Sequence, residues 1–143
     1  MSKNIDFNKL AGIDDEADDM SESFLKSLTS FKSTQHRLEG KLGRVLRCEG
    51  KPSSMAVNSI HAHMSILSIV ARRAISNTNN IDHIMNLYRD IEDIRRSYDD
   101  VIIKKAGKSE KFNEIQESFL TLSDQFSSKY LDLKNDQSTP GLD

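Results

Sequence analysis

Two short stretches, GRVLRCEGKPSS from Gly43 to Ser54 and AGKSEK from Ala106 to Lys111, pair glycine with lysine in the manner of a phosphate-binding loop. Such a loop needs Gly, four residues, then Gly-Lys-Ser/Thr, so that successive backbone N–H groups curl around the phosphates and the hydroxyl reaches magnesium. In the first stretch six residues separate Gly43 from Gly50, and Pro52 replaces the hydroxyl residue. In the second, Ile102 stands where the leading glycine of Gly107-Lys108-Ser109 belongs. Both fail on spacing, so no nucleotide loop is expected.

The histidines are His36, His61, His63 and His83. At 3.6 residues per turn His61 and His63 point about 200° apart, so they cannot chelate one metal from a regular helix. A di-iron bundle needs inward Glu-x-x-His pairs, and the chain has none. Polar surface or half-buried histidines are the better reading. Cys48 has Arg47 beside it and Arg44 one turn earlier, which favours a thiolate, but no histidine in sequence completes a nucleophile pair. Tyr88, Tyr98 and Tyr130 fall at helical apolar positions and read as core or interface. The expectation is a protein that is not an enzyme, with no catalytic residues, metal, cofactor or small-molecule substrate.

Residues elsewhere announce the elements that position these side chains. Phe24, Leu28, Phe31, Gln35, Leu38, Leu42 and Val45 alternate spacings of four and three, which places them on one helical stripe. Asp19 and Glu22 can open this helix as a variant capping box, Gly50 and Pro52 end it, and Gly40 and Gly43 inside it each cost ~1 kcal/mol relative to Ala. A second helix starts near Ser53 or Ser54 and carries Val57, Ile60, Met64, Leu67, Ala71 and Ala74, with Ile66 and Val70 widening the stripe. A third offers Ile84, Leu87, Ile91, Ile94, Tyr98 and Val101 and stops at Gly107, a residue suited to a left-handed C-terminus. Ser109 starts a fourth with Phe112, Ile115, Phe119, Leu122, Phe126 and Leu133, Lys129 taking one slot.

Each segment has about 25 residues, roughly 38 Å of helix, and short connections make antiparallel neighbours economical. The fold class expected is all-α, an antiparallel up-down-up-down four-helix bundle of heptad-patterned helices. Fusion of helices three and four into one rod is the rival, disfavoured by the stop and start signals at Gly107 and Ser109. Residues 1–18 read as an acidic flexible tail, 19–134 as the bundle and 135–143 as a second flexible tail. A single cysteine excludes an internal disulfide. Without a signal-like segment or a long charge-free apolar run, the default is a soluble protein in the reducing cytoplasm, not at a membrane.

The net charge of -2 gives no global attraction to polyanions, so distribution decides. The up-down arrangement gathers Arg44, Arg47, Lys51, Lys104, Lys105, Lys108 and Lys111 at one pole, with Glu49, Glu110, Asp99 and Asp100 nearby. The opposite pole receives Asp14, Asp15, Glu16, Asp18 and Asp19, with Arg72 and Arg73 as partners. Cations at helix C-termini are favoured by the backbone dipole whatever the protein does. Used functionally, the basic pole would bind phosphates or an acidic protein. Ile66, Ile69 and Val70 on helix two and Met85, Tyr88 and Ile102 on helix three lie off the main seams and serve either packing or an interface with another subunit. The expected function is a helical assembly or adaptor protein with a protein partner or second copy. The alternative is a nucleic-acid-binding accessory subunit, such as an oligomeric packaging, recombination or regulatory factor, using the basic pole.

Overall fold

The computed structural model describes residues 21–138, and these form four α-helices packed as a bundle. They are α1 (Glu22–Arg47), α2 (Ser54–Ser76), α3 (Ile81–Lys105) and α4 (Glu110–Ser138). The expected acidic tail and its pairing with Arg72 and Arg73 lie outside the described residues, while α4 continues past Lys134 to Ser138.

The helix starts are capped by short oxygen-bearing side chains that satisfy otherwise orphaned backbone N–H groups. The Ser21 hydroxyl accepts from Phe24 N at 3.0 Å, Ser53 from Ala56 N at 3.1 Å and Ser109 from Phe112 N at 3.2 Å. The Asn80 side chain accepts from both Asp82 N and His83 N. The first helix is thus capped by Ser21, one residue before Glu22, rather than by Asp19. Gly40 and Gly43 do not interrupt α1, because Phe24, Leu28, Phe31 and Leu38 before them, Leu42 between them and Val45 after them are buried and hold the helix in place. Helices α3 and α4 are separate: Gly107 adopts φ 84° and donates to Ile102 O at 2.7 Å, a left-handed ending that turns the chain before Ser109.

Inside, the stripes expected from spacing meet. Phe24, Phe31 and Leu38 of α1, Ile60, Met64 and Leu67 of α2, Ile84, Ile91 and Tyr98 of α3, and Phe119 and Leu122 of α4 form one buried cluster. Of the two residues expected to widen the α2 stripe, Val70 is buried, whereas Ile66 is 46% exposed and faces outward. Helix α2 is also long and apolar enough, by length and composition, to cross a bilayer, with a mean hydropathy of 1.2. In the bundle its inner face is spent on α1 and α4.

Polar contacts between helices establish their directions. Ser21 Oγ donates to Asn77 O, which sets the start of α1 beside the end of α2, antiparallel. Tyr88 pairs with Ser123 and Asp99 with Gln116, so α3 and α4 are also antiparallel. Lys32 Nζ sits 2.8 Å from Asp90 Oδ2, and the Lys105 ammonium donates to Cys48 O at 2.8 Å, so α1 and α3 run side by side in the same direction. Gln125 donates to Arg72 O, joining α4 to α2. Helices α2 and α3, consecutive in the chain, approach one another less than any of these pairs. The expectation that short connections make sequential helices neighbours therefore fails at this joint. Four linking residues reach roughly 13 Å, enough to cross the diagonal of a bundle whose axes lie ~8–10 Å apart.

Candidate functional site

The basic pole expected from chain direction is assembled, with the ends of α1 and α3 and the starts of α2 and α4 together. Its charges are not equivalent. Lys105 is half-buried and spent locally, since its ammonium caps the end of α1 through Cys48 O and, more loosely, Gly50 O at 3.5 Å. Lys111 is exposed and pairs with Glu114 at 3.4 Å. Arg47 folds back over Gly43, where an added Cβ would meet its guanidinium at 3.1 Å. Arg44 lines a cleft between α1 and α2, and Lys104 a groove between α1 and α3. Lys51 and Lys108 are exposed on the two loops. The seven cations therefore share a pole but point to different sides of it.

The α1/α3 groove has a volume of about 630 Å³. Leu42, Ile94 and Val101 reach it from the core, while Leu46 at 46% and Ile103 at 52% exposure stand on its sides. Gly43 keeps its wall low, and Glu39, Asp100 and Lys104 form a rim of both signs. Periodicity does not single out Leu46 and Ile103, because each lies off the seam of its helix. The available signal was their flanking of Leu42 and Val101 by a turn or less.

The residues set aside for packing or an interface divide. Val70 and Ile102 are core. Ile66 and Ile69 are exposed on the outer side of α2, separate from Met85 and Tyr88. Tyr88 stacks on Phe126 with centroids 4.0 Å apart, Phe126 on Tyr130 at 5.8 Å, and the Lys134 ammonium sits 5.8 Å from the Tyr130 ring centre. This aromatic ladder, with Met85 and Arg89, borders a shallow groove of about 370 Å³ between α3 and α4. Aromatic, Met and Arg side chains are the types that carry protein contacts.

Two histidines are buried rather than on the surface. His83 stacks on Phe24 at 5.5 Å, and His61 Nδ1 lies 2.9 Å from the Tyr98 hydroxyl. Burial, reinforced by the Lys111 charge, holds the His61 imidazole below its ordinary value, and burial raises the Tyr98 hydroxyl. At neutral pH the arrangement is a neutral imidazole hydrogen-bonded to an un-ionised phenol, a satisfied core pair. Asp99, one residue on, is raised by burial although Gln116 donates to it at 2.7 Å and Arg95 opposes the shift. The signal for His61 was present in the sequence: Val57, His61, Met64, Ser68 and Ala71 form a second stripe at three-and-four spacing.

A pH dependence follows. Because the folded value of His61 lies below the 6.5 of the free group, its contribution to stability is full above that pH and is lost as pH falls toward the folded value. The urea midpoint of the wild type falls between about pH 7.5 and 5.5, and that of His61→Gln, whose amide has no such proton to gain, falls less. Equal slopes would show that His61 does not titrate in this way.

Cys48 is half-buried, its thiol 3.7 Å from Gly50 O. Among the described residues no three His, Cys, Asp or Glu side chains are placed to share a metal ion. No protein-family model, no characterised protein and no solved structure matches this chain.

Proposed function

We propose that this chain is a non-enzymatic helical assembly or adaptor protein, and that its assembling face is the α1/α3 groove closed by a second copy. The observation that supports this is the pairing of Leu46 and Ile103, both half in water, over an apolar floor with a rim of both charges. Exposed apolar side chains grouped over a concavity gain by leaving water, at about 25 cal/mol per Å². The rim favours self-pairing over a partner of single sign. In a two-fold face-to-face contact, Lys104 of one copy meets Glu39 or Asp100 of the other, and the same exchange occurs twice.

Light scattering after size exclusion tests the face. The wild type at tens of micromolar has the mass of a dimer, and the double variant Leu46→Glu/Ile103→Glu that of a monomer with a nearly unchanged melting curve. A wild type that stays monomeric as its concentration approaches the millimolar range, or a variant that remains a dimer, removes this face from consideration.

A further inference from the structure

A second cleft, between α1 and α2, is lined by His36, Arg37, Gly40, Lys41, Arg44 and His63, and its volume is about 370 Å³. Only Arg44 of this group belongs to the cations that chain direction gathers at the pole. Arg37, Lys41 and Arg44 stand at i, i+4 and i+7, one stripe of α1 spanning roughly 10 Å along the axis. Gly40 leaves the floor open, since a Cβ built there meets nothing within 4 Å. From the facing helix His63 donates its Nδ1 proton to Ser59 O at 2.9 Å, which fixes the orientation of its ring in the cleft wall. His36 and the two arginines are exposed, Lys41 and His63 half-buried.

Three observations make this more than a solvated helix face. Six cations elsewhere are answered: Lys32 by Asp90, Lys26 by Glu22, Arg95 by Glu92, Arg96 by Asp93, Lys111 by Glu114 and Lys105 by backbone carbonyls. Among the described residues Arg37, Lys41 and Arg44 have no such carboxylate, although like charges a turn apart repel. Their nearest acid along the helix, Glu39, lines the α1/α3 groove instead. Secondly, the helix dipole explains cations only in the last turn, and Arg37 and Lys41 lie well before Arg47, where α1 ends. Thirdly, the chain's overall charge is misleading. Asp6, Asp14, Asp15, Glu16, Asp18 and Asp19 outweigh Lys3 and Lys9 before Ser21, so residues 21–138 are basic on balance.

We propose that this cleft binds the phosphate backbone of a nucleic acid, with Arg37, Lys41 and Arg44 each engaging a phosphate and His63 lining the facing wall on α2. A linear run of cations suits a strand of repeated charges better than a single phosphate, and contacts of this kind position a strand without reading its bases. The site lies on the side of α1 away from the α1/α3 groove, so it stands or falls independently of self-assembly.

The test is fluorescence anisotropy of the full chain with a labelled duplex of about 20 base pairs over a series of salt concentrations starting near 50 mM. The wild type binds. Arg37→Gln/Lys41→Gln/Arg44→Gln binds at least ~30-fold more weakly, and the slope of log affinity against log salt shrinks by ~2.7, at ~0.9 per lost phosphate contact. A control with equal charge loss elsewhere, Arg73→Gln/Arg89→Gln/Lys129→Gln, keeps affinity within a few-fold. Should the triple variant fold poorly, Arg37→Gln alone lowers the slope by ~0.9. Absence of binding by the wild type, an unchanged slope in the cleft variant, or equal losses in cleft and control variants overturns the proposal. Inorganic polyphosphate of matched charge binding more tightly than the duplex overturns the assignment to nucleic acid.

Discussion

Leu67→Asp abolishes the cooperative melting transition of this protein. Leu67 is fully buried at the middle of α2, within the cluster that joins the four helices. A carboxylate placed there loses its hydration and finds no cation among the apolar side chains around it, at a cost of several kcal/mol. A domain of this size has only ~5–15 kcal/mol in total, so one such charge removes much or all of it. Circular dichroism during heating checks this, with Leu67→Met as the comparison, since a volume-conserving change costs less than ~1.5 kcal/mol. If Leu67→Asp melted like the wild type, Leu67 would lie on the surface and the α2 stripe would be misassigned.

Phe31→Ala is the second large effect. Phe31 is completely shielded from solvent at the centre of the α1 stripe. Removing the ring forfeits its transfer free energy and leaves a cavity that a close-packed interior cannot fully collapse, for about 3–5 kcal/mol. Urea denaturation reads this as a lower midpoint at nearly constant slope. Ile69→Ala provides the contrast. Ile69 is 45% exposed on the outer side of α2, so the same kind of truncation there costs within ~0.5 kcal/mol. Similar losses for the two variants would place Ile69 in an interface or in the core, and would remove the distinction between the inner and outer faces of α2.

That distinction marks how far periodicity can be read. Each helix announces its inner face through residues three and four apart, and Phe24, Leu28, Phe31, Leu38, Leu42 and Val45 all arrive buried. Ile66 and Val70 both flank the α2 seam, yet one is exposed and the other buried. Position on a single helix cannot separate them, because the width of the covered band depends on how far α1 and α4 wrap around α2. Spacing along one helix excludes His61 and His63 as a metal pair, but the packing of His61 with Tyr98 and of His83 with Phe24 depends on helices distant in sequence.

The sequence by itself determined the four helices, their inner faces, the starts at Ser53 and Ser109 and the stop at Gly107, because hydrogen bonding at i to i+4, serine capping and a left-handed turn act within a few residues. The start of α1 at Ser21 and the end of α4 at Ser138 differ from what the sequence led us to expect. It also determined that Arg47, Lys51, Lys104 and Lys108 share a pole, because alternating chain direction alone brings those ends together. Only the tertiary structure decided that α1 lies beside α3 and that the link from α2 to α3 crosses the bundle. It also decided that Leu46 and Ile103 border one groove while Arg37, Lys41 and Arg44 border another. Those outcomes depend on the order of the helices around the bundle and on the rotation of each about its axis. Both are settled by how side chains from different helices interdigitate, which no periodicity along a single helix encodes.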